Sequence, residues 1–296
     1  MDTVRTRREF LKDAASAAFV GALYAGAPTK LLAQPEERSR VVLIRDAAVL
    51  DDLNKPRAEV VQRMLDKAVA ALLDEEDPVR AWKKLLKPDD ILGIKSNVWN
   101  FLPTPGELEA AIKRRAMDAG VPEKNIGIRD RGVLGDALFT KATALINARP
   151  LRTHHWSGVG SLIKNYIMFV DSPPDYHPDT CADLASIWTL PLVRGKTRLN
   201  VLVLFTPLFH GIGPHHFNPK YIWSYKGLLV GLDPVAVDAT GLRILQAKRE
   251  AFFDEARPLN PPPKHILLAD TRHHLGTADP EKIELVRIGW KDDILI

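Results

Sequence analysis

Cysteine is almost absent from this chain of 296 residues, which has only Cys181. One thiol makes no internal disulfide, no four-cysteine zinc site and no iron–sulfur cluster held only by cysteines of this chain. A charge of one sign is lacking as well. Forty-one Lys+Arg stand against 37 Asp+Glu, a net charge of +4. With no basic run and no RNA-binding signature, no nucleic-acid partner is expected. No internal repeat is present either. What remains is an ordinary globular composition, 46% hydrophobic and 26% charged. A chain of this length buries a sizeable core without metal or disulfide staples.

The N-terminus reads Thr6-Arg7-Arg8-Glu9-Phe10-Leu11-Lys12, then an alanine-rich apolar stretch from Ala14 to Ala27. Paired arginines, a Phe-Leu step, a lysine and a mild hydrophobic segment form a twin-arginine export pattern. Residues 1–33 are therefore expected to be a signal peptide, with Leu31-Leu32-Ala33 as the cleavage site; retention as an uncleaved anchor is the alternative. The implied partner during export is the twin-arginine translocase, and the implied location is periplasmic or extracytoplasmic. Cleavage removes five basic and three acidic side chains, so the mature charge falls to +2. The apolar segment is too short and mild for a stable membrane span. The twin-arginine route carries proteins that fold before export, which favours a cofactor without naming one.

Residues 34–296 read as one α/β domain, with 40–150 and 151–296 as potential lobes. Ser39–Arg45, Asp89–Lys95 and Asn125–Asp130 are strand-like, and between the first two Val60, Val61, Met64, Leu65, Ala68, Val69, Leu72 and Leu73 recur at helical spacing. Thr104-Pro105-Gly106-Glu107 predicts a helix start with Thr104 as N-cap, ending near Gly120. Later come Leu199–Phe205, Gly227–Leu232 followed by a helix capped by Asp233, then the apolar runs His265–Ala269 and Ile283–Val286. A proline-rich connector, Arg257 to Pro263, leads into the His265 run, which reads as strand-like. The alternation predicts a mostly parallel or mixed sheet flanked by helices, Rossmann-like, with right-handed crossovers.

Chemistry gathers in the second half, since all nine histidines follow residue 150. His210, His215 and His216 follow the apolar run that ends at Phe205, the end of a strand where open α/β sheets bind ligands. With Asp238 they form a candidate site for a divalent metal, although their spacing matches no compact metal motif. The glycines of Gly158-Val159-Gly160 precede Ser161-Leu162-Ile163-Lys164, which suggests backbone N–H groups at a helix start facing an anion, with Lys164 adding charge. Lys95 and Asn97 close the second strand and Asp130 the third, so a lysine, an amide and a carboxylate could hold an anionic or carbonyl substrate.

Several of these stretches together resemble the domain of unknown function family 362. They are Ile94-Lys95-Ser96-Asn97, Arg152-Thr153-His154 with Gly158-Val159-Gly160 and Lys164-Asn165, His210-Gly211-Ile212-Gly213-Pro214, Gly227 to Asp238 around Leu232-Asp233-Pro234, and Leu275-Gly276-Thr277-Ala278-Asp279. They span roughly residues 40–288. Some relatives carry a ferredoxin-like cluster module rich in cysteine, which this chain lacks. Arg152 stands where the family usually has lysine, which removes a deprotonable amine from that position.

The expected function is an enzyme acting on a small anionic substrate, with possible metal assistance. Lys95, Asn97, Arg152 and Asp233 would bind substrate, and His154, Lys164 and His210 would be catalytic. The competing readings are a non-catalytic periplasmic binding protein for an anion or metal, and an assembly partner of an exported redox enzyme.

Overall fold

The structure is a computed structural model that describes residues 38–211 and 217–296. Residues 38–296 cluster as one compact unit. The predicted signal segment and the pair His215 and His216 lie outside the described residues.

The first half runs β1 (Ser39–Arg45), α1 (Ala58–Leu72), α2 (Pro78–Leu85), β2 (Leu92–Lys95), α3 (Gly106–Asp118), β3 (Ile126–Arg129) and α4 (Ala137–Thr140). It continues with β4 (Ala144–His154), β5 (Gly158–Gly160), α5 (Leu162–Asn165), β6 (Thr197–Leu208) and β7 (Gly227–Gly231). Last come α6 (Pro234–Phe253), α7 (Lys264–Thr271) and β8 (Ile283–Gly289). All eight strands form one mixed sheet in the order β3-β2-β4-β6-β7-β1-β8, with the short β5 paired to β4. β2 pairs in parallel with β3 and β4, and β4 with β6, whereas β7 runs antiparallel between β6 and β1. The α/β class is as expected. The expected succession from the first strand into the second is not, because β1 lies beyond β7 and pairs in parallel with β8.

Side chains of a strand alternate between faces, and the apolar residues here sort accordingly into two cores. Val42, Ile44, Ile94, Ile146, Val201 and Val203 pack beneath α1, α2 and α3. Val41, Leu43, Leu145, Leu202, Leu204 and Leu229 pack beneath α5, α6 and α7. The α1 stripe behaves as its spacing predicts, with Val60, Val61, Met64, Leu65, Ala68, Val69 and Leu72 buried. Burying each such large apolar side chain contributes about 1.5–3 kcal/mol. Helices on both faces leave the ends of the central strands as the polar part of the sheet.

Two local readings are corrected. Thr104 does not cap α3, whose N-cap residue is Pro105 and has no side-chain hydrogen bond. Thr104 Oγ1 instead accepts from Asn97 N–H at 3.0 Å and donates to the Ala148 carbonyl at 3.1 Å, tying the chain after β2 to β4. The run His265–Ala269 is helical rather than strand-like, as part of α7 with His265, Ile266 and Ala269 buried. Short apolar runs do not distinguish a buried strand from a buried helix. By contrast, Asp233 caps α6 as expected, its Oδ1 accepting from the Val235 and Ala236 N–H groups at 2.8 and 3.1 Å. α3 is followed by Gly120 at φ 108°, the left-handed geometry a C-terminal glycine supplies.

Candidate functional site

The C-terminal ends of β2, β3 and β4 open into a cleft of about 320 Å³. Asn97 and Trp99 reach it from the chain after β2, and Asp130 and Arg131 from the end of β3. β4 contributes Arg149, Arg152 and His154, and α5 contributes Lys164 and Asn165. His155, Trp156 and His177 complete the wall. In a regular strand Arg149 and Arg152, three apart, would face opposite sides. The β4–β6 register is irregular between Pro150 and Arg152, and both side chains line the cleft. Bulges and register breaks of this kind re-aim side chains near active sites.

Beneath the cleft Lys95, fully buried, donates to Asp130 Oδ1 at 2.7 Å, to the Ser96 carbonyl at 2.8 Å and to Asn165 Oδ1 at 3.4 Å. Burial pulls its ammonium down to about 8, against the opposing effect of Asp130. Burial alone would raise the Asp130 carboxyl; the Lys95 charge, its hydrogen bond and the Val98 N–H outweigh that and hold it below its ordinary value. The pair is therefore committed to each other.

The arginines have no such partner. Arg149 and Arg152 are each 4% exposed, and neither forms a salt bridge among the described residues. Arg149 Nη1 donates to the Ser161 carbonyl at 3.3 Å and Arg152 Nη1 to the Thr153 carbonyl at 3.5 Å, while both Nε groups are buried and unbonded. Arg152 lies 4.2 Å above the Trp99 ring, a cation–π contact that compensates part of the missing charge. Burial lowers Arg149 to about 10, and burial with the nearby Arg149 charge lowers Arg152.

Lys164 is 3% exposed, and its Nζ sits 3.6 Å from Cys181 Sγ. Burial lowers it to about 8, and burial raises the Cys181 thiol. Asp179, Thr180 and Cys181 all lie at positive φ (47°, 58° and 65°), an unusual left-handed turn for three non-glycine residues. Burial, then the charges of Lys164, Arg152 and Arg149, push His154 far down and keep it neutral. Its Nδ1 accepts from the Trp156 N–H at 3.2 Å, which leaves the proton on Nε2. His177 is lowered to about 4 by burial and by Lys164.

Lys95, Asn97, Arg152, His154 and Lys164 thus converge in one place, and the other three described candidates, Asp233, Asp238 and His210, do not. Asp233 is occupied as the α6 cap, its Oδ2 accepting from Ser39 Oγ at 2.8 Å and from the Thr277 N–H at 2.9 Å. Asp238 is fully buried and accepts from Ser161 Oγ at 2.7 Å and from the Leu162 and Ile163 N–H groups at 2.9 Å each. The anion expected at the start of α5 is therefore this carboxylate of the chain itself. Burial raises Asp238 to about 6 despite those donors. His210 lies in a separate pocket of about 260 Å³ with Arg249, whose Nη1 is 3.1 Å from its Nδ1. Among the described residues no group of three or more His, Cys, Asp or Glu is placed to hold a metal ion.

Arg149 and Arg131 were not legible as site residues, nor were Asn147, which donates to the Leu162 carbonyl, and Asn165, which donates to Asn147 Oδ1. A second cavity, also of about 320 Å³, is lined by Leu50, Phe101, Leu102, Pro150, Val203 and Phe205. It is mostly apolar and lacks converging charged groups.

Residues 121–243 match the family model of a domain of unknown function, DUF362. This stretch is similar to DUF362 domains, and the match covers less than half of the chain. It runs from just before β3 to the middle of α6 and holds every cation that lines the cleft, together with Asp130 and Asp238. Lys95, Asn97 and Trp99 lie before the matched DUF362 residues. Neither the curated proteins nor the solved structures include a match to the chain.

Proposed function

We propose that the protein is exported by the twin-arginine route and acts on a small anionic molecule held in the cleft at the ends of β2, β3 and β4. One observation carries the ligand reading: Arg149 and Arg152 are buried guanidiniums that form no ion pair with a carboxylate among the described residues, and the Nε of each is unbonded. A buried charge that loses its partner costs about 3–5 kcal/mol, so buried charges are ordinarily paired. An anion entering from solvent supplies the missing partner.

The groups divide by task. Arg149 and Arg152 bind charge and orient it through their planar forks. Lys164, brought to about 8 by burial, gives or accepts a proton near neutral pH and is the group placed for acid–base work. His154 stays neutral and presents Nε2–H as a donor, which suits it to orienting the ligand rather than taking up a proton. Asp238 and Asn165 act through others: one fixes the start of α5, the other joins Lys95 to β4.

Melting of the full chain in the presence of single anions tests the reading. Anion-dependent stabilisation should appear in the wild type and weaken in Arg152→Gln, while Lys164→Met should bind more weakly but measurably and lose turnover altogether. Unchanged stabilisation in Arg152→Gln would remove this cleft as the site. Stabilisation without turnover over a broad panel of anionic substrates would make the protein a binding protein. Export is tested by fractionating cells that express Arg7→Lys/Arg8→Lys, which should retain the protein in the cytoplasm.

A further inference from the structure

The number of buried cations in the cleft, and how closely they converge, narrow the kind of anion; this step rests on the anion reading above. Arg149, Arg152 and Lys164 are 3–4% exposed, and the only carboxylate among the described residues that line the cleft, Asp130, is taken by Lys95 at 2.7 Å and the Val98 N–H at 3.1 Å. A single negative charge would leave two of the three uncompensated. The arginines also meet at one point. A Cβ placed on Gly160 would lie 3.1 Å from Arg149 Nη2 and 3.5 Å from Arg152 Cζ. Charges gathered that tightly suit one compact group rather than two carboxylates held apart.

Ring stacking adds little to recognition. Trp156 lies between His177 at 3.8 Å and His155 at 4.0 Å, and Trp99 carries Arg152. Asn97 Oδ1 is a buried acceptor without a partner at the same wall, which suits a hydroxyl beyond the charged head. We propose that the cleft takes a phosphate monoester, its tetrahedral dianion seated between Arg149 and Arg152 with Lys164 beside it. Guanidinium forks match phosphate oxygens in pairs, which gives the seat its geometric preference.

Calorimetric titration of the full chain with methyl phosphate, inorganic sulfate, malonate and acetate tests this. A monoester loses its second proton near pH 6, whereas sulfate stays a dianion from pH 5 to 7. Asp238, raised to about 6, and Lys95 and Lys164, each lowered to about 8, change protonation in or near this range by themselves. Asp130, Cys181 and His177 lie beside them, and sulfate reports their combined effect. The ratio of monoester to sulfate affinity should therefore rise about tenfold from pH 5 to pH 7. A flat ratio, acetate binding as tightly as the monoester, or malonate binding more tightly would overturn the phosphate assignment while leaving the anion site standing. Binding of none of the four would overturn the anion reading itself. Arg152→Lys keeps the charge without the fork and should lose about tenfold in monoester affinity while its ligand-free melting remains one cooperative transition; full affinity in that variant would remove Arg152 from the seat.

Discussion

Replacing Asp238 by asparagine removes a charge and nearly keeps a shape, so it isolates what the buried carboxylate does. Burial raises this carboxyl from 3.8 to about 6, although three hydrogen-bond donors and Arg149 act in the opposite direction. A rise of that size corresponds to about 3 kcal/mol. Between those two pH values the folded chain holds a proton that the unfolded chain has released. The stability contributed by the group is fully present below its unfolded value and is lost as pH rises through about 6. Asparagine does not titrate. Its oxygen can accept from the Leu162 N–H, but its amide group then faces the Ile163 N–H, leaving a buried donor without a partner at a cost of about 1–3 kcal/mol. Asp238→Asn should therefore be less stable than wild type at about pH 4.5 and close to it at about pH 7.5, the gap closing by about 2 kcal/mol because about a third of the effect is already lost at pH 4.5. Urea denaturation of both proteins across that range reads the gap, and the difference in melting temperature should narrow by roughly 4–8 °C. A gap that stays constant or widens as pH rises would refute the reasoning, because the donors would then be holding the carboxylate ionised against burial.

Lys95→Met removes the ammonium from Asp130 and should destabilise the chain by about 3–5 kcal/mol at neutral pH, measured by denaturant titration; a loss below about 1 kcal/mol would mean that Asp130 reaches water instead. Gly160→Ala places a methyl group against both guanidiniums, so anion affinity should fall on the order of tenfold, the equivalent of one charge-assisted hydrogen bond, with calorimetry as the check. Cys181 is fully buried and its thiol is raised by burial, so alkylation of the folded protein should be slower than that of the unfolded chain by at least about a hundredfold. Mass spectrometry of iodoacetamide-treated samples would settle it, and a fast native reaction would mean that the turn at 179–181 opens.

Most strands were legible because they are continuous apolar runs, and β1, β2, β3, β6 and β7 fall where those runs lie. β4 was not, although all eleven of its residues are buried. It reads Ala-Leu-Ile-Asn-Ala-Arg-Pro-Leu-Arg-Thr-His, and the polar residues that interrupt its hydrophobic pattern are those that build the cleft or support it. Local rules fail here because the strand carries the site. The same gap hid Arg149, whereas Lys95, Asn97, His154 and Lys164 were found from strand ends and from the glycine segment. The ligand roles expected of Asp233 and Asp238 differ from the structure for a shared reason: an aspartate at or just inside a helix start reads alike whether it faces a ligand or caps a helix, its own for Asp233 and the neighbouring α5 for Asp238. Only the distances to the Leu162, Ile163, Val235 and Ala236 N–H groups separate the two.

The pairing of β1 with β8 joins Ser39–Arg45 to Ile283–Gly289 along seven consecutive residues, about 244 positions apart in the chain. β1 is an interior strand, so one of its two neighbours is made long after it. A growing chain can assemble the cleft from β2, β3 and β4, yet it carries β1 with an open edge until residue 289 has been made. Contacts between such distant segments are slow to form, and unpaired edges attract other chains. The sheet is therefore completed late in folding, and the interval before β8 docks is when the partly folded protein is most exposed to aggregation.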